Sequence, residues 1–435
     1  MASQEALPIT YLVTTISRVK IQSFLKEYSY MTITRTFLQL AASATIALGL
    51  SFTTSPIFAQ DDTNAGTENN VMTEGSDGEL NAIEHALQPY VMPNTGPFRP
   101  DEIAVKNNKF IALWATSPHA DASAEAFNHW NDDGEISDRC AKCHSGTGFR
   151  DFYGLDGTEQ GIQGPTPVGG VVDCATCHNP GLAEITNITM PSGVSHPVSP
   201  IEAACATCHS GRESGVQVAE AIGDKPLDEV NAELRFINPH YRPAAATWLG
   251  SVAHGAFEYP GKTYSGQFFH ARPIETCASC HNPHTVKVNA QVCATCHENG
   301  TPDDIRLSRV SYDGSGDTSK GIRSDLNNNA ALLLTLIQDY STEIAGTTIA
   351  FEEHYPYFFA DSDQDGRADQ GEKGAVSYSS WTPRLLQAAY NWKLITADPG
   401  AFVHNPHYAF EILYDSMEDL STALGRDMAD LGLYR

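Results

Sequence analysis

All ten cysteines of this 435-residue chain occur in five Cys-x-x-Cys pairs, and a histidine follows each pair directly. The five motifs are Cys140, Cys143 and His144; Cys174, Cys177 and His178; Cys205, Cys208 and His209; Cys277, Cys280 and His281; and Cys293, Cys296 and His297. This spacing is the attachment signature of c-type haem, in which two thiols add to the vinyl groups and the next histidine lies beneath the iron. One such motif could equally be a zinc or dithiol site. Five motifs that use every cysteine predict five covalently bound haem c groups.

Five macrocycles reduce the need for a side-chain core, so we expect a mainly α-helical fold with extensive coil, in which the haems form the core. The five-haem domain is predicted to cover residues 97–301, with short helices. Residues 302–435 carry the longest helical periodicities and are predicted to form a helical C-terminal region. Its expected long helices are 327–341, 383–396 and 405–424.

The N-terminal part of the chain is predicted to be a targeting segment rather than part of the fold. An apolar stretch after Arg35 ends near Ala59, as in a secretory signal peptide spanning 31–59. Residues 1–30 then form an extension before the expected start at Met31, and residues 60–96 form a polar, flexible linker. An uncleaved membrane anchor is the alternative. We therefore expect an exported protein, with the periplasm and the cell exterior both left open.

The net charge restricts the class of partner. The chain has 27 Lys and Arg against 53 Asp and Glu, a formal charge of −26 at pH 7. Long-range repulsion of polyphosphate argues against a nucleic-acid binder. An acidic surface instead favours basic redox partner proteins.

Eleven histidines remain as candidates for the second axial position of the five irons. Two axial imidazoles saturate an iron and suit electron transfer, whereas a vacant position permits substrate binding. The candidate ligands are His119, His129, His240, His254, His284 and His404. His240, His254 and His270 share the longest interval between motifs, and two of the three are expected to be ligands. The histidines expected to be solvent-facing or structural are His85, His196, His354 and His407.

Residues 361–372 match the calcium-loop pattern D-x-[DN]-x-[DN]-G-x5-E at every position. The oxygen ligands are predicted to come from Asp361, Asp363, Asp365, the backbone carbonyl of Arg367, Asp369 through water, and Glu372. A single loop favours a structural calcium ion over a calcium sensor. A solvated acidic turn without an ion is the alternative.

With these motifs, the chain resembles a bacterial multihaem c-type cytochrome. The order of the motifs resembles that in the pentahaem ammonia-forming nitrite reductases and their hydroxylamine oxidoreductase and octahaem relatives. Ser117-Pro118-His119-Ala120, the segments around His240 and His254, and Phe402-Val403-His404-Asn405-Pro406 extend the likeness. This resemblance implies that His119 ligates haem 3, His254 haem 5 and His404 haem 4, with His240 facing a substrate.

The chain departs from those reductases at the first motif, which ends in His144 where they carry a lysine ligand. It is also similar to extracellular electron-conduit cytochromes of metal-reducing bacteria, some of which polymerise into filaments. Two functions follow as expectations. The first is an electron carrier of anaerobic or extracellular respiration, working with a quinol-oxidising cytochrome or an extracellular acceptor. Assembly into a homo-oligomer or filament is compatible with this function. The second is a reductase of nitrite or another nitrogen or sulfur oxyanion at one five-coordinate haem.

Overall fold

Most helices before residue 301 are short, and the longest helices come after it. This is observed in a computed structural model that describes residues 100–298 and 300–435. The α-helices in chain order are α1 Pro100–Ala115, α2 Glu125–Asn128, α3 Asp138–His144, α4 Gly146–Phe152, α5 Cys174–Cys177, α6 Pro200–Cys208, α7 Gly215–Ile222, α8 Ala244–Leu249, α9 Cys277–Cys280, α10 Ala290–Ala294, α11 Ile322–Glu343, α12 Pro383–Ala397, α13 Ala401–His404 and α14 Pro406–Ala423. The predicted signal peptide, linker and His85 lie outside the described residues.

Strands are short and form four separate antiparallel pairs within the described residues. The pairs are β1 Glu135–Ile136 with β2 Thr166–Pro167, β3 Asn187–Thr189 with β4 Ser195–Pro197, β5 Ile349–Phe351 with β6 Phe358–Ala360, and β7 Gln370–Gly371 with β8 Gly374–Ala375. In register, Ile188 faces His196 and Ala350 faces Phe359. The fold is therefore helical with extensive coil, as expected from the sequence.

The three long helices predicted from periodicity are present and pack against one another: α11, α12 and α14. Local chemistry sets their ends. Thr382 caps α12 by accepting a hydrogen bond from Leu385 N, and Pro383 occupies the first turn, where its missing N–H costs nothing. Asn405 caps α14 by accepting from Tyr408 N, with Pro406 next. The prediction of one helix from 405 is thus correct to within a residue.

Helix α12 is buried on every side from Pro383 to Ile395. Several of its polar side chains are hydrogen-bonded, as burial favours. Arg384 donates to the carboxylates of Asp228 and Asp419, and the indole of Trp392 donates to Ala330 O at 2.9 Å. Asn391 accepts from Phe257 N at 2.8 Å and donates to Phe257 O at 3.0 Å. The bonds to Asp228 and Phe257 join the C-terminal helices to the segment that carries the motifs.

The motif-bearing segment has a smaller apolar core of its own. Its buried members include Phe149, Leu182, Ile188, Met190 and Leu249. Many of its other buried positions are alanines, which contribute little apolar area each. Across the described residues, no helix has the length and apolar character needed to cross a membrane.

Candidate haem sites

Each cysteine pair lies on or at the end of a helical turn, so that both thiols of a pair project from one short element. The first three pairs belong to α3, α5 and α6, and the fourth spans α9. Cys293 lies in α10, and Cys296 lies two residues beyond the end of that helix. Asp173 caps α5 by accepting from Thr176 N at 3.0 Å, which explains why a helix this short begins at Cys174.

Three motif histidines are oriented by backbone carbonyls. The Nδ1 atoms of His144, His209 and His281 lie 2.7, 3.0 and 3.2 Å from carbonyl oxygens of residues 126, 242 and 286. A carbonyl only accepts, so each Nδ1 carries the proton and donates it. Nε2 is then left unprotonated, with its lone pair available for a metal.

A second imidazole stands opposite each of the five motif histidines. The ring-centroid distances are 5.8 Å for His144 and His240, 6.0 Å for His178 and His284, 6.4 Å for His209 and His119, 6.4 Å for His281 and His404, and 6.2 Å for His297 and His270. None of these partners is a neighbour in sequence of the motif that it faces.

These distances fit one metal ion between each pair of rings. A first-row metal binds an imidazole nitrogen at about 2 Å, so two imidazoles on opposite sides of one ion have ring centroids about 6 Å apart. In addition, Nδ1 of His240 is buried without a hydrogen-bond partner, which is costly unless another group completes the site. The residues present therefore fit an iron held between two imidazoles at each motif.

Burial keeps several of these imidazoles in the neutral form that binds a metal. It lowers the pKa of His119 to about 4, with His209 nearby adding repulsion. Burial also lowers the pKa of His240 to about 4, and the charges of Arg212 and His144 act in the same direction. The pKa values of His144 and His209 are lowered as well, chiefly by burial. At neutral pH these rings are uncharged.

Two candidate ligands are not brought to a motif histidine. Nδ1 of His129 lies 2.8 Å from the carboxylate of Glu125, and the ring beside His144 on this side is Trp130, at 5.0 Å. Nδ1 of His254 lies 3.2 Å from the carboxylate of Glu258. Both imidazoles are exposed.

The arrangement implied by the family resemblance therefore changes at two motifs, because His240, implied to face a substrate, stands opposite His144. His119 stands opposite the third motif and His404 opposite the fourth, as implied, but His270 rather than His254 stands opposite His297. The candidate ligands named from the sequence do not include His270, because its sequence context does not distinguish it from its neighbours in the long interval. Of the histidines expected to be structural, His196 is buried, while His354 and His407 are exposed.

The motifs form a connected series in space. The thiols of Cys143 and Cys208 each lie 3.8 Å from a backbone carbonyl of the other motif, at Thr207 and Lys142, which joins the first and third motifs. Helix α6 of the third motif also contacts α9 of the fourth. The fourth and fifth motifs are separated by 11 residues, and Asn289 N donates to Cys280 O at 2.8 Å between them. A cavity of about 490 Å³ is lined by His281, Val288 and their neighbours in this segment.

The predicted calcium loop brings three of its carboxylates together. Oxygens of Asp361, Asp363 and Asp369 lie within 4.8 Å of one another, and Asp361 is buried. The Asp361 carboxylate accepts from Asp365 N and Gly366 N, each at 3.0 Å. Gly366 has a φ of +83°, which a residue with a Cβ rarely adopts.

The position of Glu372, the last predicted ligand, differs from that in a calcium loop flanked by helices. Glu372 lies in the exposed turn that joins β7 to β8, and not at the start of a helix. Asp365 is exposed and lies outside the three-carboxylate group. The structure thus brings together three of the predicted carboxylates.

Comparisons with known proteins find polyhaem cytochromes. The chain is 26% identical over 371 residues to the c-type polyheme cytochrome OmcB of Geobacter sulfurreducens, covering 68% of this chain and 46% of OmcB. It is 27% identical over 362 residues to OmcC of the same organism, covering 68% of this chain and 45% of OmcC. The chain thus spans about half the length of the curated relatives it matches.

No family model matches the chain, and no solved structure matches it. The similarity to OmcB and OmcC agrees with the motifs, because those proteins are named as c-type polyheme cytochromes. Together, the five attachment motifs and these relatives support a multihaem c-type cytochrome.

Proposed function

We propose that the chain is a pentahaem c-type cytochrome that transfers electrons, with every iron held between two histidines. The motif histidines are the proximal ligands. The second ligands, for haems 1 to 5 in order, are His240, His284, His119, His404 and His270. The observation that carries the proposal is that all five motif histidines have such a partner. When bound, the haems supply one-electron redox chemistry at iron.

The contacts between motifs support an electron path through haems 1, 3, 4 and 5. Helix α6 of the third motif contacts α3 of the first and α9 of the fourth, and these contacts would bring the edges of successive macrocycles close together. Haem 2 joins this path at the third motif, because α5 contacts α6. The residues of the chain would hold the haems in this order and supply the imidazoles that saturate their irons.

A reductase would need one iron with a free side. The paired imidazoles favour the electron carrier instead, and the relatives are named as cytochromes rather than reductases. The surface charge favours a basic redox protein as partner, because −26 in total attracts positive surfaces over long distances. Export to the periplasm or the cell exterior, a quinol-oxidising donor or extracellular acceptor, and assembly into oligomers belong to the same proposal.

A structural calcium ion at Asp361, Asp363 and Asp369 is also part of the proposal. The short distances between these carboxylates support it, since three negative charges held together repel one another unless a cation or solvent neutralises them. Such an ion would hold the loop between β6 and β7.

Low-temperature electron paramagnetic resonance of the oxidised holoprotein tests the function directly, with haem content quantified in the same sample. Five haems per chain, all low-spin, are expected. A stoichiometric high-spin ferric signal would contradict the electron-carrier proposal, since it would reveal an iron with a free or weakly ligated position.

A further inference from the structure

The imidazole of His404 has a hydrogen-bond partner unlike that of any other paired imidazole in the described residues. Its Nδ1 lies 2.8 and 3.0 Å from the two carboxylate oxygens of Asp398. His144, His209 and His281 donate to neutral backbone carbonyls instead. A full negative charge therefore stands behind one ligand of the site that would hold haem 4.

Several features of the fold fix the contact between Asp398 and His404. Asp398 is 3% exposed and occupies the turn between α12 and α13, directly after a helix that is buried on all sides. Its carboxylate also accepts from Gly400 N at 3.0 Å. Gly400 leaves room for the ring, because a Cβ at this position would come within 2.5 Å of His404 Cε1. The imidazole and the carboxylate are thus held in one orientation.

Such a pair shifts the midpoint potential of the iron in one direction. A carboxylate that accepts the Nδ1 proton makes the other imidazole nitrogen a stronger electron donor, which stabilises ferric over ferrous iron. The buried negative charge acts in the same direction, since its attraction for the more positive ferric site is weakly screened. Both effects lower the midpoint potential.

We propose that Asp398 is a positioning residue that gives haem 4 the lowest midpoint potential of the five haems. This inference rests on the proposed function, because it requires that His281 and His404 ligate one iron. Haem 4 lies between haems 3 and 5 in the proposed path. Asp398 therefore makes an internal haem of the chain the last to be reduced, and electrons cross it without accumulating there.

The test is a spectroelectrochemical titration of the five-haem holoprotein and of three variants. Asp398→Asn keeps the shape of the side chain and removes its charge, so the lowest of the five midpoint potentials should rise. Glu258→Gln is the matched control, because Glu258 contacts His254, an imidazole that faces no motif histidine. All five potentials of that variant should equal those of the unmodified protein.

His404→Met assigns the potential to its haem. Methionine in place of an axial histidine raises the potential of that haem and adds a methionine-to-iron absorption band in the ferric state. The lowest midpoint should disappear from the titration and reappear at a higher value, even if Asp398→Asn does not load all its haems. Loss of one of the higher midpoints instead would overturn the inference.

Two further results separate the inference from the proposed function. If His404→Met leaves the ligation of all five haems unchanged by spectroscopy, His404 is not a ligand, and both the ligand assignment and the inference fail. If His404 is shown to ligate haem 4 but Asp398→Asn leaves its potential unchanged, only the inference fails.

Discussion

The imidazoles of His119 and His209 lie with their ring centroids 6.4 Å apart and their planes inclined by 40°. His119 precedes the first motif, whereas His209 belongs to the third, so the polypeptide must fold back to bring them together. Three of the other pairs are at least as distant in sequence, whereas His270 and His297 are 27 positions apart. Iron ligation at five such sites would cross-link the chain, in the way that a bound metal stabilises the folded state of small metalloproteins.

The ligand of haem 5 can be tested by comparing two histidines from the same interval. His270→Ala should convert one of the five haems to a high-spin ferric state, because it removes the ring opposite His297. His254→Ala should leave all haems low-spin. Electron paramagnetic resonance on both oxidised variants checks this, and the reverse pattern would restore His254 as the ligand.

The ligand of haem 1 can be tested in the reduced protein. His240→Ala should open one iron, which would then bind one carbon monoxide per chain. His129→Ala is the control and should bind none, because its ring contacts Trp130 rather than His144. Carbon monoxide binding by the unmodified protein would argue that an iron is already open.

Calcium should stabilise the protein through Asp361. At 100 times its dissociation constant, a bound ion adds about 2.7 kcal/mol to the free energy of unfolding, and Asp361→Asn should remove most of that gain. The measurement is the thermal unfolding midpoint with calcium and with a chelator. Asp317→Asn, in another exposed loop, should keep the full calcium response. If calcium does not change the thermal unfolding midpoint of the unmodified protein, the site is ruled out.

Lys393 should make stability depend on alkaline pH. Burial lowers its pKa from 10.5 to about 8, partly opposed by Glu353, and its amine packs over the rings of Tyr241, Phe351 and Tyr357 at 5.9, 5.2 and 5.1 Å. The unfolded chain therefore binds more protons than the folded chain between these two pH values, so stability rises with pH across that window.

Replacing this lysine tests the sign of that effect. The cost of burying the charge is fully present below pH 8 and corresponds to at most about 3 kcal/mol. Lys393→Met should raise the unfolding midpoint at pH 7 and lose most of this advantage by pH 10. A variant that is less stable than the unmodified protein at pH 7 would show that the contacts of the amine with the rings outweigh its desolvation.

Asn391 should be among the more sensitive positions of the C-terminal helices. Its side chain satisfies both backbone groups of Phe257, so Asn391→Ala leaves a buried donor and a buried acceptor unpaired. The expected loss is about 3 kcal/mol of unfolding free energy. Asn328→Ala, at an exposed position of α11, should cost far less. Thermal unfolding of both variants checks this, and equal losses would contradict the role assigned to Asn391.

The haem-attachment motifs and the long helices could be predicted from the sequence because local patterns specify them. Five Cys-x-x-Cys-His motifs each need only one helical turn, and the three long helices follow from apolar residues at three- and four-residue spacing. The carboxylates of the acidic loop at 361–372 were also identified from spacing alone. The structure, however, places Glu372 in a β-turn rather than on a helix.

The choice of partner for each motif histidine depended on tertiary structure. His254 and His270 lie 16 positions apart in one interval, and no local signal ranks one above the other; the path of the chain after α8 leaves His254 beside Glu258 and brings His270 to His297. The contact of Asp398 with His404 likewise exists only because a three-residue turn, 398–400, joins buried α12 to α13. Spacing along a chain specifies which groups share a helical turn, whereas long-range packing decides which turns face each other.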